Sequence, residues 1–428
     1  MSIQIEERPP TEVDEELTRM VRARSQRAVP HAHTCCIVGG GPAGMMLGLL
    51  LARAGVDVTV LEKHSDFLRD FRGDTVHPST MHVLDDMCLI DEFLSLPHCK
   101  VRQTTVPAGG GLLQVDLSKI GSPYDFVAFV PQWDFLELLA SAGRQLPNFH
   151  LRMETEVTDL VVQHDRVAGV RFRAPDGDGE IHALLTVGAD GRDSVVREHS
   201  GIPVDEMSSP VDVFWFRLTR WPNESEAIQA RLCHGHVAVF LNRGAYWQVA
   251  YVIPKGASED VFGEGIHSLR QSLLRLAPEL GSRVQEIRDW SDVKLLTVRS
   301  NHVRRWWRRG LLLIGDAAHA MSPIGGVGLN LAIQDAVATH NILAGGLLRG
   351  HPVDKLLARV ERRRRRPTVF TQHFQALLQS TVIKPVLAGR NTGMPLAARI
   401  LLRTPVLQHW PARIVGLGFR PERVSLPL

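Results

Sequence analysis

The sequence has 428 residues, of which 44% are hydrophobic and 22% charged, and a formal net charge of +3. This length allows one large core or two closely joined domains, and so small a charge gives no reason to expect a nucleic-acid partner. The five cysteines are odd in number and lack a CxxC spacing. This argues against a disulfide framework and structural zinc, and we predict no metal. The acidic N-terminus and the lack of an uncharged apolar stretch of about 20 residues predict a cytoplasmic protein.

The first part of the chain has the pattern of a dinucleotide-binding unit. Residues 1–33 are polar and charge-mixed, and we assign them no chemistry. Residues 35–38 are typical of a buried strand, 42–54 of a helix and 56–61 of a second strand. A GxGxxG spacing lies between the first strand and the helix. These elements form a βαβ unit, the setting in which this spacing binds a dinucleotide.

The glycines of this spacing each have a mechanical role. Gly39 permits a tight turn, Gly41 lets a pyrophosphate approach the backbone, and Gly44 lets the helix lie close to the sheet. The helix N-terminus offers amides and a positive dipole to the phosphates, and a carboxylate at the end of the second strand accepts ribose hydroxyls. The predicted dinucleotide contacts are Gly39, Gly41, Pro42, Ala43, Gly44 and Glu62.

Further along, the pattern changes from helix to strand. Residues 133–144 are typical of a helix, residues 151–173 of two strands around a turn, and residues 211–252 of several strands rich in Trp and Phe. Long helices are predicted from about residue 328 onward. The predicted architecture is a parallel dinucleotide-binding sheet interrupted by a mainly antiparallel sheet, with a helical C-terminal end.

Two more glycine-and-acid clusters follow predicted strands. Asp190 and Gly191 come after one strand, although an ordinary Asp-Gly turn explains this pair equally well. Asp316 comes after another strand, at the edge of the sheet where ligands collect. Glycines at the start of the next helix leave its backbone amides uncovered, and these amides could contact an electron-rich planar group. The glycines at that helix start are Gly325, Gly326 and Gly328.

In this order, the three clusters resemble the single-component FAD-dependent aromatic monooxygenases, the family of para-hydroxybenzoate hydroxylase and the ubiquinone-biosynthesis hydroxylases. The resemblance covers about residues 34–348. It implies that Arg72 lies near the pyrophosphate and Gln132 near the flavin-side ribose. It also implies Asp190 where FAD and the reductant meet, and Asp316 on the ribityl chain.

The resemblance further implies which residues surround the flavin ring. Pro323 would lie beside the isoalloxazine and the substrate, and with Asp190 it is a predicted catalytic residue. The backbone predicted to contact the flavin belongs to Gly326, Gly328, Leu329 and Asn330. Many relatives have Arg at the position of Gln132 and Gln at that of Val327, so the positioning of the flavin is less firmly implied than its binding.

The fold class implied is mixed α/β: a Rossmann-like FAD-binding domain with an inserted, mainly antiparallel substrate domain. The predicted boundaries are an N-terminal tail (1–33), FAD-binding segments (34–99, 136–210 and 301–350), substrate-domain sheet segments (100–135 and 211–300) and a basic helical C-terminal region (351–428).

The activity implied is a monooxygenase that uses NADPH or NADH and O2 to hydroxylate or epoxidise an aromatic or quinol-like substrate through a flavin C4a-hydroperoxide. The only complete nucleotide fingerprint is the first cluster, so NAD(P)H has no Rossmann module of its own, and the resemblance implies that it binds transiently. Residues on two predicted strands are candidates for the substrate pocket, although core packing explains each of them singly. They are Trp215, Arg217, Tyr246 and Gln248.

Other functions stay open at this stage. The main alternative is an FAD-dependent reductase or dehydrogenase of a lipophilic substrate. A halogenase is disfavoured, because the Ile253-Pro254 pair is present without the two tryptophans of the halogenase signature. A protein that uses this fold to bind a partner without turnover is the non-enzymatic alternative.

The C-terminal region is strongly basic. Five arginines stand at 362–366, and from Pro367 to Leu428 seven Lys and Arg accompany a single acid, Glu422. Such a run predicts a solvated helix face. A second interpretation is peripheral contact with an anionic membrane.

Overall fold

The structure is a computed structural model that describes residues 33–68, 75–108, 111–224, 228–233, 235–389 and 410–425. Its strands are β1 (His33–Val38), β2 (Val58–Leu61), β3 (Thr75–Val76), β4 (Cys99–Val101), β5 (Gln103–Ala108), β6 (Gly111–Asp116), β7 (Val127–Phe129), β8 (Phe149–Arg152), β9 (Glu156–Gln163), β10 (Arg166–Arg173), β11 (Gly179–Gly188), β12 (Val204–Met207), β13 (Val211–Thr219), β14 (Gln229–Cys233), β15 (His236–Asn242), β16 (Tyr246–Pro254), β17 (Lys294–Leu296), β18 (Ser300–Val303), β19 (Trp307–Arg308) and β20 (Leu311–Leu313). Its α-helices are α1 (Pro42–Arg53), α2 (Pro78–Asp86), α3 (Ile90–Ser95), α4 (Gln132–Arg144), α5 (Val195–Ser200), α6 (Ser258–Glu264), α7 (Ile266–Leu276), α8 (Gly328–Leu348), α9 (Asp354–Leu378), α10 (Lys384–Leu387) and α11 (Trp410–Leu417).

A largely parallel sheet forms the centre of the molecule. Its strand order is β19-β20-β11-β1-β2-β8, and β9 and β10 extend it from β11. Strand β1 lies in the middle because its apolar residues are buried on both faces. Helix α1 lies very close to this sheet at Gly48, where a Cβ atom would stand 2.8 Å from the Val60 side chain. The predicted strand-helix-strand unit is confirmed.

A second sheet of five antiparallel strands has the order β14-β15-β16-β13-β17. Its two faces differ in their neighbours. Phe214 and Phe216 belong to a hydrophobic cluster that also contains Leu269 and Leu273 of α7. The opposite face carries Trp215, which packs against a small cluster that includes Val298. The predicted mixed α/β fold with an antiparallel sheet is therefore confirmed, whereas the domain boundaries stay a prediction.

The described residues of the C-terminal part are mainly helical, as predicted. Helix α9 contains Pro367 and continues into a π-helical turn, Gln379–Ile383. In the part of the chain that the structure describes, every helix is too short or too polar to span a lipid bilayer.

The arginine run on α9 is not a single solvated face, so that prediction is wrong for Arg364. Arg362 and Arg366 are exposed. Arg364, by contrast, is 1% exposed, and its Nε donates to Asp335 Oδ1 at 2.9 Å. Arg363 pairs with Glu422 at 2.6 Å. The helical period turns neighbouring arginines to different sides, and buried carboxylates on α8 and in the C-terminal segment pair with those that face inward.

The pairing of Arg364 predicts unequal effects along this run. Arg364→Met should lower the free energy of unfolding by about 3–5 kcal/mol, because it leaves the buried Asp335 carboxylate without its arginine partner. Arg362→Met, on the same helix but exposed, should change it by less than about 0.5 kcal/mol. Urea unfolding of both variants measures the difference, and equal small losses would contradict the burial of Arg364.

Candidate functional site

The first cluster forms a tight turn between β1 and α1. Gly39 has a φ of +106°, and a Cβ atom there would lie 2.4 Å from the carbonyl oxygen of Ala189. A Cβ atom on Gly44 would lie 2.0 Å from the carbonyl oxygen of Gly39. Gly41 is different, because a Cβ atom on it would meet none of the described residues within 4 Å. Two glycines therefore serve the fold, while the third borders open space at the helix N-terminus.

Glu62 closes this turn from the end of β2. Its side chain is 8% exposed, and its carboxylate accepts the amide of Gly40 at 2.8 Å and that of His64 at 3.1 Å. A Cβ atom on Gly40 would lie 2.9 Å from the Glu62 Cβ. Gly40 is thus a site residue that the sequence analysis missed, since the GxGxxG spacing leaves its position unspecified.

The second cluster packs directly against the first. A Cβ atom on Gly39 would stand 2.8 Å from the Asp190 Cα. The Asp190 carboxylate accepts the Ser194 hydroxyl at 2.5 Å and the Val196 amide at 3.1 Å, and so caps the start of α5. Burial raises the pKa of Asp190 above its usual value, although these hydrogen bonds act to lower it. The Asp190 side chain therefore makes its hydrogen bonds within the protein, and its catalytic role stays a prediction.

Arginine side chains join the second cluster to the third. Arg192 Nε donates to Asp316 Oδ2 at 3.1 Å. Arg197 donates to the carbonyl oxygens of Ala317 at 3.1 Å and of Arg192 at 2.5 Å. The Asp316 side chain keeps about a third of its surface exposed (32%), so a ligand can reach it beside its arginine partner. Neither arginine was predicted as a site residue, because the third cluster that both contact lies far away in the chain.

The loop that follows Pro323 is shaped by glycine. Gly325 and Gly326 have φ angles of +80° and +62°, which L side chains rarely adopt. A Cβ atom on Gly326 would lie 2.4 Å from Thr75 Oγ1, and this hydroxyl donates to the Gly326 carbonyl at 2.7 Å. Pro323 itself is partly exposed. The loop is therefore held on one side by β3 and open on another.

Asn330 serves the structure through its side chain. Its Oδ1 accepts the His77 amide at 2.9 Å and the Thr80 hydroxyl at 2.8 Å, and its Nδ2 donates to the Thr75 carbonyl at 3.0 Å. Only its backbone remains for a ligand, in line with the predicted role of the helix start. Gly328 opens α8, and Leu329 is buried.

Two other predicted site residues and one neighbouring histidine have different outcomes. Arg72 lies outside the described residues. Gln132 is the first residue of α4, and its predicted role stays a prediction. His319, which follows Asp316 in the third cluster, is 1% exposed and bonds to Asp335 at 2.5 Å, so it supports the cluster from within the core.

The four predicted substrate residues share one face of the antiparallel sheet. The register pairs Trp215 with Ala250, Arg217 with Gln248 and Thr219 with Tyr246, and directly paired residues point to the same face. Arg217 lies over the Tyr246 ring at 4.9 Å. In the part of the chain that the structure describes, the buried Trp215 Nε1 has no hydrogen-bond partner.

Contacts at both ends of this face lead to the Pro323 loop. At one end, Trp215 packs with Val298, and Ser300 nearby donates to the Ala320 carbonyl at 3.4 Å. At the other end, Arg243 bonds to Gln248 at 2.8 Å and lies over the Phe129 ring. Phe129 pairs with Thr75, which holds Gly326. The sheet face that carries Trp215 is therefore joined at two points to the loop after the third cluster.

These features fit a bound FAD. The open space at Gly41 admits a pyrophosphate to the N-terminus of α1, the Glu62 carboxylate lies at the adjoining strand end, and the partly exposed Asp316 follows β20 at the same sheet edge. The residues lie at the carboxyl ends of β1, β2, β11 and β20, where α/β sheets bind ligands.

Comparison with known proteins gives the same assignment. The family model described as FAD binding domain matches residues 32–372. The 6-methylpretetramide 4-monooxygenase of Streptomyces rimosus is 33% identical over 90% of this chain and 92% of its own. The match covers 61–65% of the length of three further curated relatives.

Solved structures share the fold. The p-nitrophenol 4-monooxygenase of Pseudomonas putida has a TM-score of 0.73 at 22% identity, covering 91% of this chain and 98% of its own. The anhydrotetracycline hydroxylase OxyS of Streptomyces rimosus has a TM-score of 0.70 at 24% identity, covering 90% and 76%. The predicted resemblance, FAD cofactor and monooxygenase class are confirmed, and the chain belongs to the FAD binding domain family.

Proposed function

We propose that this protein is an FAD-dependent monooxygenase that uses NADPH or NADH and O2 to hydroxylate an aromatic, polyketide-type substrate. The observation that carries the proposal is the sheet face of Trp215, Arg217, Tyr246 and Gln248, which is joined to the Pro323 loop at both ends. The relative that acts on 6-methylpretetramide matches nearly the whole chain, which favours an aromatic polyketide over a single-ring phenol.

The chain's own residues would hold the cofactor and shape the site. The amides at the start of α1 would bind the pyrophosphate through the open space at Gly41. Glu62 and Asp316 would accept hydroxyls of the ribose and the ribityl chain. The helix start at Gly328 and Leu329 turns backbone amides toward the flavin ring. Bound FAD supplies the chemistry: it accepts a hydride from NAD(P)H and activates O2.

The substrate face would orient the aromatic ring and exclude water. Trp215 Nε1 is a buried donor that has no acceptor among the described residues, and a buried donor normally has an acceptor. A phenol or carbonyl oxygen of the substrate would satisfy it. The stacked Arg217 and Tyr246 offer a flat, cationic surface beside it, which suits a planar substrate with acidic phenols.

The first test follows oxygen into the product. Purified protein is expected to be yellow and to oxidise NADPH or NADH faster when an aromatic polyketide is added than when a single-ring phenol is added. With 18O2 the product should gain one labelled oxygen. A reduced product without added oxygen would identify the reductase alternative instead, and a colourless protein that binds no added FAD would remove the proposal.

The space at Gly41 allows a selective test of cofactor binding. Gly41 has extended backbone angles, φ −75° and ψ −178°, so Gly41→Ala should change the free energy of unfolding of the apoprotein by less than about 1 kcal/mol. The new methyl group would enter the space of the pyrophosphate, and we expect the FAD dissociation constant to rise at least about tenfold.

Gly263→Ala is the matched control for this variant. A Cβ atom on Gly263 also meets nothing within 4 Å, but this residue lies on α6, away from the three clusters. The FAD dissociation constants of both variants are measured by titrating the apoprotein with FAD and following flavin fluorescence. Gly263→Ala should leave the constant unchanged. Unaltered FAD affinity in Gly41→Ala would show that the pyrophosphate does not lie there.

The role of Trp215 is tested by removing only its donor. Trp215→Phe should raise KM for a phenolic substrate about 2- to 10-fold, the worth of one hydrogen bond, with a smaller effect on kcat. Trp247→Phe is the control, because Trp247 lies on the opposite face and its Nε1 donates to Glu224 at 2.9 Å. Steady-state kinetics should show a raised KM in the first variant alone, and equal KM values would count against substrate contact.

A further inference from the structure

A stripe of polar side chains runs along the buried side of α9 and the π-helical turn after it. Its members recur at helical spacing and are all at most 4% exposed: Arg364, Thr368, Gln372, Gln375 and Gln379. A buried helix face is usually apolar, so a polar one needs a reason. The hydrogen bonds of the three glutamines supply that reason.

Each glutamine donates to the chain that leads into the Pro323 loop. Gln375 Nε2 donates to the carbonyl oxygens of Ser322 at 3.0 Å and of Ile324 at 2.7 Å, the residues on either side of Pro323. Gln379 Nε2 donates to the Ser322 hydroxyl at 2.8 Å. Gln375 therefore holds Pro323 from both flanks with one amide group.

Gln372 makes the same kind of contact farther from Pro323. Its Nε2 donates to the carbonyl oxygens of Asn301 at 2.9 Å and of Ala320 at 3.1 Å. Gln372 and Gln375 thus match in residue type, helix, burial and number of bonds. They differ in which part of the backbone they hold.

The carbonyl groups on either side of Pro323 receive their side-chain donor from α9, whereas the Pro323 carbonyl accepts the Gly326 amide at 3.0 Å. Residues 318–323 lie outside helices and strands, and buried carbonyl groups must find partners elsewhere. A glutamine amide has two hydrogens and can satisfy two carbonyls at once. Since the carbonyls before and after Pro323 share one donor group, the orientation of the turn depends on where Gln375 stands.

We propose that Gln375 is a positioning residue that sets the Pro323 turn, and thereby the placement of the substrate ring against the flavin. This rests on the proposed function for the side of Pro323 that faces the flavin. Gln379 supports the same turn through Ser322. Gln372 holds only the approach to it.

The experiment compares Gln375→Met, Gln379→Met and Gln372→Met in the full-length, FAD-loaded enzyme. Methionine keeps the length of the side chain and removes the donor. Three quantities are measured: the melting temperature, the visible absorption spectrum of bound FAD, and coupling, defined as product formed per NAD(P)H oxidised.

Gln375→Met should lower the melting temperature by a few degrees, since it removes the side-chain donor to the carbonyls of Ser322 and Ile324. Gln372→Met should lower it by no more than that, since the Ala320 carbonyl keeps the Asn301 amide at 3.0 Å. Coupling should fall at least about fivefold in Gln375→Met, because a small misplacement of the reacting groups is costly, with hydrogen peroxide in place of product. It should stay near that of the unmodified protein in Gln372→Met. FAD affinity should stay within about threefold in both, since the phosphate and ribose contacts are distant.

Equal coupling in Gln375→Met and Gln372→Met would overturn the proposal. Should Gln375→Met fail to fold, Gln379→Met decides: coupling must fall further in it than in Gln372→Met, and the reverse order rejects the positioning role. Should the unmodified protein hydroxylate nothing, the proposed function fails by itself. The flavin spectrum still tests the loop, since it should shift in Gln375→Met and not in Gln372→Met, and unchanged spectra in both would reject the proposal.

Discussion

The site depends on one buried carboxylate, that of Asp335 on α8. It is 0% exposed and accepts hydrogen bonds from the Gly315 amide at 3.1 Å, His319 Nε2 at 2.5 Å and Arg364 Nε at 2.9 Å. Burial would raise the pKa of Asp335, but the charges and hydrogen bonds of His319 and Arg364 lower it below its usual value. A buried charge is tolerated only when paired, so α8, α9 and the strand end before Asp316 are held in one arrangement.

From this anchor, polar contacts extend to the surface where the cofactor binds. Asp316 follows the Gly315 amide in the chain and pairs with Arg192. Arg197 donates to the carbonyl oxygens of Ala317 in the third cluster and of Arg192 in the second. The Ala189 backbone in turn packs against Gly39 of the first cluster. The three glycine-and-acid clusters are therefore one continuous surface. Each depends on the next for its shape, although the chain separates them widely.

The sequence predicts the parts of this arrangement that are local. The turn at Gly39 and Gly44 follows from a spacing that only glycine satisfies between a strand and a helix, and the hydrophobic period identifies the strands. The inward face of β13 was not predictable, because Phe216 and Trp215 are equally apolar and only α7 distinguishes them. The burial of Arg364 was missed for a related reason. A run of arginines predicts an exposed helix surface on average, and the sequence does not show that Asp335 on another helix pairs with one of them.

The polar face of α9 shows what the site requires of the fold. A loop whose glycines adopt positive φ angles cannot continue a sheet or helix, so its carbonyl groups need donors from other elements. Backbone amides serve Ala318, Ala320 and Pro323, and Gln375 serves Ser322 and Ile324. Apolar residues in place of Gln372 and Gln375 would leave four carbonyls without these donors, at about 1–3 kcal/mol for each one left unsatisfied. A polar helix face therefore stabilises the loop better than an apolar one would. It also fixes the loop in one orientation, since hydrogen bonds are directional and hydrophobic contacts are not.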